Sequence, residues 1–395
     1  MNSVLKGICV LDISTLIAGP YCAMILGVMG AEVIKVEHPE GGDPARAMGP
    51  PYVKGQSALS LSVNLNKKSL TLDLNQKKGK EIFGKLLANS QVIVENFRPD
   101  IVENLGLDYE TLSKERPDIV YCAITGFGEK GPYRMKAGTD TIFQGMGGIM
   151  TISGEPGDPP LRLGVPIADM TTAIYAALGV MMALYHRAET GQGQKVEISL
   201  LDSLIALQAP RMMEYFVTGE NPVLTGRSSP FGAPIQFFET KDGYINISVF
   251  LDKFWRKLCQ ALEIEHLTFD PKFAKNADRM QNRKELEKIL SEIFLKRTTA
   301  EWQAILNKFD VPNGPINTYK EVFQDPQVQH NRIYQELAHE ILGSYRYLGL
   351  PFHLTNTPGV LKSPPPLPGE HNEEILTKLG YTKKEVEKLK EEKII

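Results

Sequence analysis

The sequence predicts an α/β protein: a Rossmann-like, doubly wound large domain joined to a smaller α+β domain. Three observations carry this. Strand-like and helix-like segments alternate through the first part of the chain, the pattern of a parallel sheet. Of 395 residues 42% are hydrophobic, more than one core usually absorbs. Near Gly226 the alternation gives way to short strands around an Asp242-Gly243 turn.

In chain order, Ile8 to Ile13 reads as a strand, Tyr21 to Met29 as a helix and Ala31 to Glu37 as a strand. The alternation resumes with Lys78 to Ala88 as a helix, Gln91 to Glu95 as a strand, Tyr109 to Lys114 as a short helix and Asp118 to Thr125 as a strand. An apolar helix follows Asp169, and Val196 to Leu201 is a further strand. These elements place a large domain over 1–200, a linker over 201–225 and a small domain over 226–325. Residues 326–395 return to the large domain. In the small domain, Phe237 to Ser248 gives two strands, and Leu286, Ile289, Leu290, Ile293 and Phe294 line one helix face. It also holds both tryptophans, Trp255 and Trp302. Ser363 to Gly369 is an extended connector, and the charged tail from Thr382 reads as a solvated helix.

The net charge of −3 supplies no global field for nucleic acid. No apolar run reads as a membrane span, and the start of the chain has no signal-like pattern, so a cytoplasmic protein is expected. Cys9, Cys22, Cys122 and Cys259 are scattered, as reduced core residues would be. The seven histidines form no close pair at ligand spacing, so no metal site is expected. Glu37 at a strand end invites a dinucleotide reading, yet Ser14 to Pro20 holds one glycine where the phosphate fingerprint needs three. Neither a P-loop nor a GxSxG elbow occurs.

Asp169 stands between Gly164-Val-Pro-Ile-Ala168 and an apolar helix. An Asp followed by Thr171 and Thr172 suits a helix N-cap, where amides and partial positive charge would keep it ionised. A carboxylate without a salt-bridge partner also suits a nucleophile. The two roles are compatible, and local sequence does not choose between them.

Several segments together resemble one family, the class III CoA-transferases, with formyl-CoA and carnitine CoA-transferases and α-methylacyl-CoA racemases as members. They are Ala18-Gly-Pro20, Gly30 to Glu37, Gly42-Asp43 with Arg46, Asn66 to Ser69, Leu72-Asp73-Leu74, Val94 to Pro99, Gly126-Phe-Gly128 with Gly131-Pro132, Asp169 and Gly369-Glu-His371. The resemblance implies that Asp169 is a covalent nucleophile in a ping-pong exchange between an acyl-CoA donor and a carboxylic acid acceptor. CoA and acyl-CoA are then substrates, and no tightly bound cofactor is implied. It also implies CoA contacts at Ala18, Leu72, Asp73, Leu74, Asn96, Phe97 and Lys136, with Arg98 near phosphate and Lys67 and Lys68 as further candidates. His38, Asn75 and Asn104 belong to the same implied CoA site, but stand where formyl-CoA transferase has basic residues, and Ile17 stands where it has Gln. Gly145 to Gly148, Gly154 and the Gly226 to Gly232 loop are candidate oxyanion donors, although each glycine taken singly reads first as turn geometry. An interlocked homodimer is implied, with no nucleic-acid or membrane partner. Racemases carry Gly-His-Asp where this chain has Gly138-Thr139-Asp140, and threonine cannot serve as their α-proton base, so a transferase is expected. A racemase or a non-catalytic acyl-CoA-binding protein is the alternative. Similarity to succinyl-CoA-using members suggests a small dicarboxylate such as succinate.

Overall fold

A computed structural model describes residues 3–395, which form two compact units. The larger comprises residues up to Gly148, Leu163–Met213 and Arg332–Ile395; the smaller comprises Ile149–Arg162 and Glu214–Asn331.

The larger unit is built on a parallel six-stranded sheet. Its strands are β1 (Cys9–Asp12), β2 (Glu32–Glu37), β3 (Lys67–Thr71), β4 (Val92–Glu95), β5 (Val120–Thr125) and β6 (Lys195–Ser199), in the order β3-β2-β1-β4-β5-β6. The order reverses at β1, so β1 and β4 diverge into their connections and open a crevice at their carboxyl ends, the usual ligand position in such sheets. Both faces are covered. Leu11, Ile13, Ile34, Val36, Leu70 and Ile93 point to one side, where helix α2 (Lys77–Ala88) packs through Ile82, Phe83, Leu86 and Leu87. On the other side lie α1 (Ala18–Val28) and the long helix later in the chain, and Cys22 of α1 meets Cys122 of β5. All four cysteines are free thiols.

Helix α1 begins earlier than expected, with Ala18-Gly-Pro20 as its first turn. Pro20 fits because the first amides of a helix have no intrahelical partner. Gly19 is required there, since a Cβ would stand 2.2 Å from the Cβ of Ser14.

Next come α3 (Pro99–Leu105), α4 (Tyr109–Glu115), α5 (Asp140–Met146) and α6 (Ile167–Thr190). Helix α6 buries Ala168, Thr171, Thr172, Ala173, Ala176, Ala177, Val180 and Ala183, and packs on α1, β5 and β6. Small residues on that face let the backbones approach closely. By length and mean hydropathy it is also apolar enough to cross a membrane, which corrects the expectation that no such run exists. Half of its most apolar window is buried against the rest of the protein, as in a core helix.

Two other expectations fail. The supposed linker holds helices α7 (Leu200–Leu207) and α8 (Ala209–Thr218), and residues 149–162 join the smaller unit. The charged tail is not merely solvated. It forms α9 (Asn372–Lys378) and α10 (Lys383–Glu391), and it buries Val386, Leu389, Ile394 and Ile395 in the core beside α2. The Asp73 amide donates to the Ile394 carbonyl at 2.8 Å.

The return segment also closes the sheet edge. Strand β3 has an outer edge, and Gly369-Glu-His-Asn372 occupies it: the His371 amide donates to Ser69 O (3.0 Å), Ser69 N to His371 Nδ1 (3.3 Å) and Thr71 N to Asn372 Oδ1 (2.9 Å).

In the smaller unit an antiparallel sheet of Ile235–Glu239, Tyr244–Ser248 and Asn313–Pro315 packs on helices Asp252–Ala261, Arg283–Phe294 and Thr299–Lys308. Trp255 and Trp302 are in its core, and Trp302 Nε1 donates to Phe294 O at 2.7 Å.

Candidate active site

The turn after β1 is held by a buried ionic network. Asp12, at the end of β1, binds Lys67 of β3 at 2.7 Å, and Lys67 also donates to Pro20 O (2.7 Å) and Asn64 Oδ1 (2.8 Å). Lys35 donates to Ser14 O at 2.9 Å and pairs with Asp43 at 2.9 Å. Burial pushes the Lys67 ammonium down to about 8 against the pull of Asp12. Burial alone would raise Asp12, but Lys67 and Lys35 outweigh it and hold the carboxyl below its usual value. Glu37, at the end of β2, accepts Arg46 through both oxygens at 2.6 and 2.8 Å. Where a dinucleotide site would keep an acid free for ribose, Glu37 is already taken.

These ion pairs frame a cavity of about 560 Å³ at the carboxyl ends of the strands. Of the residues expected to contact CoA, it brings together His38, Leu72, Leu74, Asn75, Phe97 and Asn104. Ile13, Ser14, Gly42, Lys80, Ile101 and Leu105 complete much of the wall. One side is apolar, from Leu72, Leu74, Phe97, Ile101 and Leu105, suited to a flat ring. The buried acids Glu37 and Asp43 also line it, each neutralised from behind by Arg46 or Lys35.

The remaining expected contacts lie outside that wall. Ala18 is buried at the start of α1. Asn96 spends its amide on Thr15, accepting from the backbone N–H at 2.8 Å and donating to the carbonyl at 2.7 Å. It shapes the turn, with its oxygen and one of its two amide N–H groups committed there. Asp73 caps the following turn through Asn75 N (2.9 Å) and faces His38 Nε2 at 3.8 Å. Arg98 pairs with Asp100 at 3.2 Å, and Lys136 lies 4.8 Å over the Tyr133 ring. Lys67 is wholly buried among its own acceptors, and Lys68 is held by Glu32 and Glu374; the idea that these two meet phosphate is set aside. Among the candidate glycines, Gly145 to Gly148 lie in the larger unit and Gly154 and Gly226 to Gly232 in the smaller.

Asp169 is not an N-cap. The cap residue of α6 is Pro166, and Asp169 is the third residue of the helix. Its place at the helix start is taken by Asp140 of α5, whose Oδ1 accepts from Ala168 N at 2.8 Å and lies 3.5 Å from Asp169 N. Gln144 secures the arrangement, donating to Asp140 Oδ2 at 2.6 Å and accepting from Leu163 N at 2.9 Å. The Asp169 carboxylate therefore gains neither a hydrogen-bond donor nor a cation among the described residues. Burial and the nearby Asp140 charge push it up to about 7, against the expectation of a fully ionised group. Such a carboxylate is basic, half-buried and unoccupied, as a nucleophile requires.

The sequence reading missed Asp140, Lys80, Ile101 and Leu105 as site residues. Asp140 stands in the Gly138-Thr139-Asp140 segment and in the first turn of a helix, but neither signal points to its partner amides, which lie 28 and 29 residues away.

Comparison with known proteins places this site in context. A family model described as CoA-transferase family III matches residues 5–372. The chain is 38% identical to succinyl-CoA:glutarate CoA-transferase of Mus musculus, over 98% of this chain and 88% of that protein. It is 37% identical to succinate–glutarate CoA-transferase of Agrobacterium fabrum, over 95% of each. A crystal structure of a CAIB/BAIF family protein from Brucella suis superposes with a TM-score of 0.87 at 36% identity, covering 96% of this chain and all of that one. With a match across nearly its full length, this chain belongs to CoA-transferase family III.

Proposed function

We propose that this protein moves CoA from succinyl-CoA or a similar thioester to a small dicarboxylic acid through a covalent intermediate on Asp169. The observation that carries the mechanism is the Asp169 carboxylate itself, raised to about 7 with no donor or cation on it. One Asp169 oxygen attacks the thioester carbonyl carbon; the C–S bond breaks and its electron pair leaves with sulfur, giving a mixed anhydride and CoA thiolate. The thiolate attacks the aspartyl carbonyl and expels the donor carboxylate, leaving an aspartyl-CoA thioester. An acceptor carboxylate attacks that thioester and releases thiolate, which then takes the acceptor acyl group and frees Asp169. No step consumes a proton, which agrees with Thr139 at the position where racemases carry histidine. Exchange of one thioester for another is nearly balanced in free energy, so no nucleotide hydrolysis is needed.

The dicarboxylate assignment rests on relatives whose names pair succinate or succinyl-CoA with glutarate. We expect succinyl-CoA with glutarate or another short dicarboxylate to turn over at least ten times faster than acetyl-CoA with acetate or butyrate. A panel of donors and acceptors followed by chromatography measures this directly. A panel in which only monocarboxylates react overturns the assignment.

We read the large unit as Rossmann-like and the cavity beside β1 as the seat of the nucleotide end of CoA. We also propose a homodimer in the cytoplasm. The exposed face of α6 carries Ile174, Leu178, Met182 and Tyr185, between 49 and 71% exposed, a contiguous apolar stripe of the kind that marks an interaction surface. Sedimentation at micromolar concentration is expected to give twice the mass of 43.9 kDa; a monomer there rules the dimer out.

A further inference from the structure

We infer that Lys80 is the residue that receives the 3′-phosphomonoester of CoA, an inference that rests on the CoA-transferase reading above. CoA carries a 5′-diphosphate and a 3′-phosphate, so its site needs positive charge close to the adenosine. The cavity wall offers little. Its two acids are cancelled by Arg46 and Lys35 from behind, and His38 is already turned to Asp73 at 3.8 Å. Arg98 and Lys136 do not line it, and Asn75 and Asn104, which do, are neutral. Lys80 is the remaining cation of the wall. Its ammonium donates to the Leu105 carbonyl at 2.7 Å and has no carboxylate partner among the described residues.

Its position follows from packing. Lys80 stands one residue after Gly79, and a Cβ at Gly79 would lie 1.9 Å from the Asp73 carbonyl oxygen. The start of α2 is thus pressed against the rim of the cavity, and Lys80 is fixed beside Asn75 and Leu105. A second feature agrees. Lys77, Lys78 and Lys80 occupy three of the first four positions of α2, with no acid among them. Positive charge there opposes the helix dipole and is unfavourable without an anion nearby. Glu81 answers Lys78 at 3.1 Å, whereas Lys80 faces the cavity.

The phosphate is identified by the covalent layout of CoA. Leu72, Leu74, Phe97, Ile101 and Leu105 form the apolar side that suits the purine, and Lys80 is tied to Leu105 at that end. The 3′-phosphate sits on the ribose beside the purine and carries up to two charges. The diphosphate leads away toward the pantetheine arm and the thioester.

The test compares CoA with 3′-dephospho-CoA by titration calorimetry on the full chain. The unmodified protein is expected to bind CoA about tenfold more tightly, the scale of one charge-assisted hydrogen bond to phosphate. In Lys80→Gln that ratio should fall toward one through weaker CoA binding, with dephospho-CoA unchanged; Lys80→Arg should keep most of it. A ratio that survives Lys80→Gln overturns the assignment. Equal weakening of both ligands also overturns it, because the lysine then serves the diphosphate or the fold. The underlying reading fails separately: calorimetric discrimination without any acyl transfer would sink the transferase assignment and leave Lys80 standing, whereas transfer without discrimination does the reverse.

Discussion

Replacing Asp169 with asparagine is expected to abolish CoA transfer and, at the same time, to stabilise the folded protein at neutral pH. The first effect follows from the proposed chemistry. An amide cannot attack the thioester, so turnover should fall by at least about 10³-fold, as for other residues that carry the covalent step. The second follows from the electrostatics. Below the ordinary carboxyl value of 3.8 both folded and unfolded chains hold the proton, and Asp169 costs nothing. As pH rises toward about 7 the unfolded chain releases that proton while the folded one retains it, so stability falls across this window and the penalty is complete above it. Asparagine never ionises and escapes that penalty. The variant should therefore melt a few degrees above the unmodified protein at pH 8, with the advantage shrinking at pH 5. Incubation of the unmodified protein with donor alone, trapping with hydroxylamine and peptide mass spectrometry should place the modification on Asp169. A folded Asp169→Asn protein with near-normal transfer would refute the nucleophile, and one that melts lower at pH 8 would show that the carboxylate is structural.

Asp169 could be singled out from the sequence, but its reading as a helix cap is not borne out. Asp followed by two threonines before an apolar run looks like a cap, because cap preference is a local signal. The helix begins at Ile167 instead, and the amide that a cap would have taken is served by Asp140 from another helix. Nothing near Asp169 encodes that contact. Most of the parallel strands were legible because each is a short apolar run bounded by turns. Strand β3 was not, since Lys67-Lys-Ser-Leu-Thr71 looks polar, and its charges and hydroxyls are satisfied by Asp12, Glu37 and Asn372, far away in sequence. The tail failed for a related reason: Val386 and Leu389 are three apart on a helix otherwise dense in lysine and glutamate, and the core they enter is built by residues some 300 positions earlier. The cavity residues that were found came through the family motifs. Lys80, Ile101 and Leu105 lie between motifs, and only the packing of α2 and α3 beside the sheet brings them to the same wall.

The buried network around that wall leads to the largest expected loss of stability. Arg46 is 5% exposed and donates to both oxygens of Glu37, to Gln56 Oε1 at 3.0 Å and to the Pro366 carbonyl at 3.1 Å. It thus ties the end of β2 to the returning chain. Arg46→Met keeps the bulk but strands the Glu37 carboxylate, which still accepts from Asp43 N and Ser69 Oγ and keeps Lys35 as a nearby cation. Removing one member of a buried pair costs about 3–5 kcal/mol, mainly because the other charge is left in a poor solvent. Glu37 also faces the cavity, so the same substitution should weaken CoA binding by adding an unbalanced negative charge where phosphates enter. The double variant Arg46→Met with Glu37→Gln separates the two effects. Glutamine can still accept from Asp43 N through its single carbonyl oxygen and turn its amide N–H toward Ser69 Oγ, so most of the stability and the CoA affinity should return once the stranded charge is gone. Denaturant unfolding and CoA titration of the three proteins measure this. A single variant that loses no more than about 0.5 kcal/mol, the range of ordinary surface changes, would mean the ion pair does not hold the wall. A double variant that regains stability but not affinity would mean that the Arg46 charge, rather than the stranded Glu37, governs CoA binding.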